Sequence, residues 1–142
     1  MDREELKKIL PHREPMLLID EASLIGEERS VGSVSIRGDE WFMMGHFPGN
    51  PIVPGVILCE MIAQTCCITV LKRSDTAIPY FTGMNKLRFL GVVRPGDTIR
   101  FECQLTASRP PFYFAKAKGF VKDTECVSGE FSFAVKESAS VC

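Results

Sequence analysis

Between Phe47 and Leu71 the chain runs for 25 residues with a single charged side chain, Glu60. Pro54 fits the first turn of a helix or the position just before it, so the spacing predicts a helix from Gly55 to Leu71 or Arg73. Such a helix is apolar around most of its circumference and has no face to offer water. It belongs in the middle of the molecule, and enclosing it on nearly all sides requires a sheet wrapped around it. The run approaches membrane length, but Pro54, Gly55, Glu60, Gln64 and two threonines suit burial in protein better than burial in lipid.

The rest of the chain supplies the sheet. "YFTGMNKLRFLG", "DTIRFECQLTAS", "FYFAKAKGFVK" and "ECVSGEFSFAVK" are β-rich runs separated by the turns "RPGD", "RPP" and "KDT". In "GEFSFAVK", Phe131, Phe133 and Val135 fall on one face and Ser132 and Ala134 on the other. Upstream, Met16 to Leu24 and Arg29 to Ile36 read as a hairpin turning at Gly26, and Asp2 caps a short helix that Pro11 ends. The pattern is that of an α+β fold, a long helix against a mostly antiparallel sheet, and the 142 residues suit one domain over 1–142.

Composition narrows the classes of function. A net charge of −1 leaves no basic excess to draw the chain onto nucleic acid. The opening "MDREELKKIL" lacks the apolar core of an export signal, which makes the cytoplasm the expected compartment. The six cysteines have neither CxxC spacing nor a histidine at finger distance, so they read as reduced thiols filling apolar space, with no metal site.

Chemistry concentrates in "GHFPGNPIVPGVILCEMIAQ". Pro48, Pro51 and Pro54 each fix φ, so the loop can hold the His46 imidazole in place as a base. The plainer alternative is a turn histidine bonded to a neighbouring carbonyl. Glu60 falls in the second helical turn, roughly 7 Å along the axis, among Leu58, Cys59, Met61 and Ile62. There it loses hydration and is suited to giving up a proton; otherwise it is a solvated or ion-paired helix residue. Gln64, one turn on, can orient that carboxyl group or face water or a second subunit. The free N–H groups of Gly55 and Val56 can receive an oxyanion. Base, acid and anion site together describe proton removal next to a carbonyl, with a leaving group protonated on the other side.

That same run closely resembles the signature of the hot-dog-fold (3R)-hydroxyacyl-[acyl carrier protein] dehydratases of the FabZ type. "ILPHREPMLLID" and "FTGMNKLRFLGVVRPGDTI" are similar to the family's flanking segments, so the likeness extends from about Ile9 to Leu105. The resemblance implies subunits paired sheet edge to sheet edge, with each active site at the interface. It further implies that His46 takes the α-proton of a 3-hydroxyacyl thioester while Glu60 of the other subunit protonates or orients the departing hydroxyl. The Gly55 N–H would polarise the thioester carbonyl, no metal or organic cofactor would take part, and three dimers can form a hexamer. Related dehydratases that also isomerise carry aspartate where Glu60 stands. The chain departs from the pattern at Met61 and Ile62, which bear on the shape of the acyl tunnel, and at Leu90 and Gly91, which bear on carrier docking.

An acyl carrier protein is acidic, which makes Lys86, Arg88 and Arg94 candidates for docking it, with Arg109 and Lys116 behind them. Phe47, Ile57, Ile62, Phe81 and Phe89 are candidates for lining the acyl channel or, equally, for plain core. His12, between Pro11 and Pro15, reads as securing the N-terminal segment rather than as part of the chemistry. Two other functions fit this fold: a thioesterase, in which water attacks the carbonyl, and a non-catalytic acyl-binding domain, which would have no need of both His46 and Glu60.

Overall fold

A computed structural model describes residues 1–71 and 76–137. Its elements are α1 (Arg3–Leu6), β1 (Glu21–Ile25), β2 (Arg29–Ser35), a 3-10 turn (Trp41–Met43), α2 (Gly55–Leu71), β3 (Ala77–Phe89), β4 (Thr98–Arg109), β5 (Phe112–Val121) and β6 (Thr124–Glu137). The strands form one antiparallel sheet in the order β1-β2-β4-β5-β6-β3, with β1 and β3 at its edges. This is the α+β arrangement expected, with α2 lying against the sheet. The expected extension of the helix to Arg73 falls outside the described residues.

The enclosure of α2 follows from its composition. Every residue from Met61 to Thr69 is buried. The sheet meets it with Ile99, Phe101 and Cys103 of β4, Ala115 and Ala117 of β5, and Val127, Phe131 and Phe133 of β6. Period-two alternation puts Arg100, Glu102 and Gln104 of β4 on the far face. Where β2 crosses the helix there is no room for a side chain: a Cβ on Gly32 would lie 2.5 Å from Thr65 Oγ1. Two positions away, Ser30 Oγ donates to the Thr65 carbonyl at 2.7 Å, so a buried hydroxyl ties strand to helix.

One expected strand is shorter than its sequence suggests. Met16 to Leu24 reads as a strand, but β1 begins at Glu21. Leu17, Leu18 and Ile19 are all buried, so the segment lacks the alternation of a sheet strand. Instead of pairing along a ladder, the Leu18 N–H donates to the Gln64 side chain at 2.9 Å. The rest of the hairpin is as expected, with β2 from Arg29 and Gly26 at φ +70° in the turn. At the N-terminus, Asp2 and Glu5 form a reciprocal capping box, and α1 closes at Leu6, well before Pro11.

The five described cysteines are buried and unpaired, and burial pushes the Cys66 and Cys67 thiols well above their ordinary range. Cys142 lies outside the described residues. Among those residues, no helix is long and apolar enough to cross a membrane.

Candidate active site

His46 sits in a tight loop between the 3-10 turn and α2. Its N–H donates to the Met43 carbonyl at 3.2 Å, and its carbonyl accepts from Ile52 N–H at 2.9 Å. Phe47 and Asn50 exchange a pair of backbone bonds at 3.0 and 2.9 Å, and Gly45 and Gly49 take up the positive φ values of +79° and +72°. The backbone under the imidazole is therefore fixed without helix or strand. The Phe47 ring stacks on it at 4.2 Å.

The imidazole itself is oriented by a carbonyl. Nδ1 lies 3.1 Å from the Ile52 oxygen, which can only accept, so the Nδ1 position carries the hydrogen. In the neutral ring this leaves Nε2 bare, and Nε2 has no partner among the described residues. The turn-histidine alternative does not exclude a base: the bond that anchors the ring leaves the other nitrogen free to accept a proton.

Glu60 occupies the second turn of α2, flanked by buried Cys59 and Met61, with its own side chain 24% exposed. Gln64 is completely buried and orients it. Its Nε2 donates to Glu60 Oε1 at 3.1 Å and to the Met16 carbonyl at 2.7 Å, while its Oε1 accepts from Leu18 N–H. Gln64 therefore faces neither water nor another subunit. Glu60 Oε2 has no partner among the described residues.

His12 joins this group. Its Nε2 lies 3.5 Å from Glu60 Oε1, although the sequence ties it only to the N-terminal segment. The signal was present in outline, since Pro11 and Pro15 frame His12 much as Pro48 and Pro51 follow His46. What the sequence hides is that the 47 residues between His12 and Glu60 fold this segment back across the helix.

At the start of α2, the Ile57 and Leu58 N–H groups return to the Pro54 carbonyl, and those of Gly55 and Val56 have no partner among the described residues. Val56 is 75% exposed. A Cβ on Gly55 would lie 2.9 Å from Phe89 Cε1, so the end of β3 closes over the first helical turn and admits only glycine there without moving the ring. No contact joins His46 to Glu60 within one chain among the described residues.

The remaining candidates divide. Lys86 is exposed but paired with Glu130 at 3.3 Å, Arg94 bonds Asn50 Oδ1 at 2.7 Å, and Arg88 is exposed on β3. Arg109 and Lys116 are exposed. Of the channel candidates, Ile62 is fully buried core and Ile57 is partly buried against it, whereas Phe47, Phe81 and Phe89 are exposed. Phe81 stacks on Phe133 at 5.2 Å. Around the free edge of β3, Tyr80, Met84, Phe89, Leu90 and Val92 are all about half exposed, an apolar border continuous with a strand edge that has no partner among the described residues.

Comparison with known proteins bears on the family and the fold. Residues 10–130 match the FabA-like domain. The chain is 37% identical over 139 residues to a 3-hydroxyacyl-[acyl-carrier-protein] dehydratase FabZ from Petrotoga mobilis, covering 97% of this chain and all of the relative. It is 39% identical over 137 residues to the FabZ of Clostridium perfringens strain SM101, covering 95% and 99% of the two chains. Among solved structures, a chain of the dehydratase heterocomplex ApeI:P from Xenorhabdus doucetiae superposes with a TM-score of 0.83 at 18% identity, covering 96% of this chain and 93% of the other. A mutant of the fluoroacetyl-CoA-specific thioesterase FlK superposes at 0.68 and 13%, covering 82% and 91%. Those two likenesses speak to the fold, and the sequence matches speak to the family: the chain belongs to the FabA-like family, among the dehydratases of the FabZ type.

Proposed function

We propose that the protein dehydrates (3R)-hydroxyacyl-[acyl carrier protein] to the trans-2-enoyl thioester in fatty acid biosynthesis, a reading supported by relatives named 3-hydroxyacyl-[acyl-carrier-protein] dehydratase. His46 Nε2 takes a proton from the carbon next to the thioester carbonyl. The electron pair left behind forms the new double bond as the C3–O bond breaks. Glu60 gives its proton to the departing hydroxyl, and water leaves. Charge developing on the thioester oxygen meets the free N–H groups of Gly55 and Val56 at the positive end of α2. Proton exchange with water then restores the neutral imidazole and carboxylic acid.

The observation that carries this reading is the His46 Nδ1 contact with the Ile52 carbonyl, which makes the ring a base at Nε2. Since His46 and Glu60 do not meet within one chain, we assign them to opposite sides of a site shared by two subunits. The unpaired edge of β3, with its half-exposed apolar side chains, supports a homodimer paired through that strand. Phe47, Phe81 and Phe89 then border the acyl channel. Arg88 and Lys116, which have no ion-pair partner among the described residues, are better placed than Lys86 or Arg94 to meet an acidic carrier protein. A reducing compartment, the cytoplasm, suits the five unpaired thiols.

The test is to incubate the protein with a 3-hydroxyacyl thioester and follow enoyl absorbance beside free thiol. Enoyl product without thiol is expected. Thiol release without enoyl product overturns the assignment in favour of hydrolysis. His46→Ala and Glu60→Gln should each lower turnover by about 10²- to 10⁴-fold with the fold intact.

A further inference from the structure

Glu60 must deliver a proton from one particular oxygen, and the surroundings make its two oxygens unequal. Oε1 accepts from Gln64 and faces His12 Nε2 at 3.5 Å, while Oε2 has no partner among the described residues. From this asymmetry we infer that His12 is a positioning residue for dehydration, holding Glu60 so that its acidic proton sits on Oε2, toward the substrate. The inference rests on the dehydratase reading of the site.

The placement of His12 is determined by its neighbours. The Arg13 guanidinium donates to the carbonyls of Leu10 at 3.0 Å, His12 at 2.7 Å and Lys7 at 3.1 Å, which winds the backbone around it. Leu10 is buried on one side, and Met16 and Leu18 are tied to Gln64 on the other. The segment that carries the ring is thus held on both sides of His12, next to the part of α2 that carries Glu60 and Gln64.

Its hydrogen is placed by elimination. His12 Nδ1 is buried with no hydrogen-bond partner among the described residues. Nδ1 is unpaired in either tautomer, but a hydrogen on Nδ1 would be a buried donor with nothing to accept it, whereas a hydrogen on Nε2 faces the Glu60 oxygen as its acceptor, so in the neutral ring the hydrogen belongs on Nε2. At 3.5 Å the contact is longer than an ordinary hydrogen bond, and a small rotation of either side chain closes it. With N–H groups of both Gln64 and His12 turned to Oε1, that oxygen acts as the acceptor. The proton of the neutral carboxylic acid then sits on Oε2, and after it leaves, both donors stabilise the carboxylate.

The experiment compares His12→Phe, which keeps the ring shape without a donor, with His12→Gln, whose amide restores one. Turnover of a 3-hydroxyacyl thioester should fall about 10- to 100-fold in His12→Phe with KM little changed. It should recover to within several-fold of native in His12→Gln, while both variants unfold at the same denaturant concentration as the native protein. Turnover within twofold of native in His12→Phe overturns the inference, and so does equal loss in both variants. A second readout does not depend on activity. Long-range ¹H–¹⁵N spectra of the two histidines, assigned by loss of one signal set in His12→Phe, should show His12 with hydrogen on Nε2 and a shift of that nitrogen in Glu60→Gln. Hydrogen on Nδ1, or no response to Glu60→Gln, overturns the pairing. A native protein that forms no enoyl product fails the dehydratase reading and the catalytic role with it, while the spectra still decide whether His12 and Glu60 are paired.

Discussion

The Gln64 side chain, completely buried, connects Glu60 Oε1 at 3.1 Å to the Met16 carbonyl at 2.7 Å and the Leu18 N–H at 2.9 Å. One amide thereby closes the segment before β1 onto the helix and fixes the orientation of the candidate acid. Structure and chemistry share this residue, so damage to one is damage to both.

Gln64→Leu keeps the volume and removes all three bonds. The Leu18 N–H is left buried without a partner and the Met16 carbonyl loses its donor, which together should cost about 2–4 kcal/mol of stability. Denaturant unfolding checks this as a lowered midpoint with unchanged slope. Turnover should fall by about tenfold or more in the folded fraction, because Glu60 loses a donor that orients it.

Two glycines, Gly32 on the strand that crosses α2 and Gly55 at the start of α2, should respond to alanine in opposite ways. A Cβ on Gly32 meets Thr65, which is buried and bonded to the Met61 carbonyl at 3.0 Å. Neither can yield, and Gly32→Ala should destabilise by about 1–3 kcal/mol. A Cβ on Gly55 meets the far end of the Phe89 ring, which is half exposed and free to swing away. Gly55→Ala should change stability by less than about 1 kcal/mol, since alanine favours the helix. Yet it should lower kcat/KM by about tenfold or more, because the methyl group and the displaced ring crowd the proposed oxyanion site. Unfolding midpoints and steady-state kinetics on the two variants separate the effects.

Acid should loosen the N-terminal segment through Glu14. A hydrogen bond from its own backbone, then the Lys7 ammonium at 3.1 Å, lower its carboxyl from 4.5 to about 2. A carboxyl lowered on folding contributes stability that is fully present above pH 4.5 and is lost as pH falls toward 2. Glu14→Gln should remove that part of the slope and leave the curve above it parallel to native. Urea midpoints measured across this range test it, and an unchanged slope in the variant would show that Glu14 has no part in acid unfolding.

The large elements were legible because they follow from local pattern. An apolar run interrupted only by Glu60 has to be enclosed, and the strand runs that enclose it are β-rich between clear turns. Gly55 as the start of α2 was legible because proline and glycine mark it. The segment from Met16 to Asp20 was misread because its apolar residues look like a strand, and its actual partner is a glutamine side chain 46 positions from Leu18. The contact of His12 with Glu60 was hidden for the same reason: its partner is on α2, and no periodicity reports a contact between a coil segment and a helix made only in the folded chain. The His46 contact with the Ile52 carbonyl closes over six residues, and the proline-framed loop hinted at it.

A mixing experiment can separate a shared site from one within a single chain. If His46 of one subunit works with Glu60 of the other, a dimer of one His46→Ala chain and one Glu60→Gln chain has one site with both residues native and one with neither. Each variant alone has no intact site. Random exchange of subunits from an equal mixture makes half the dimers mixed, and each mixed dimer has half its sites, so about a quarter of native turnover should return. The recovery should develop at the rate of subunit exchange and be absent when each variant is first crosslinked as a homodimer. A site built from one chain predicts no recovery at any time, because neither chain in the mixture has both residues. Mixing that exchanges subunits fully, shown by mass spectrometry on isotope-labelled chains, and yet leaves turnover at the sum of the separate variants would put His46 and Glu60 in the same subunit's site or in no common site.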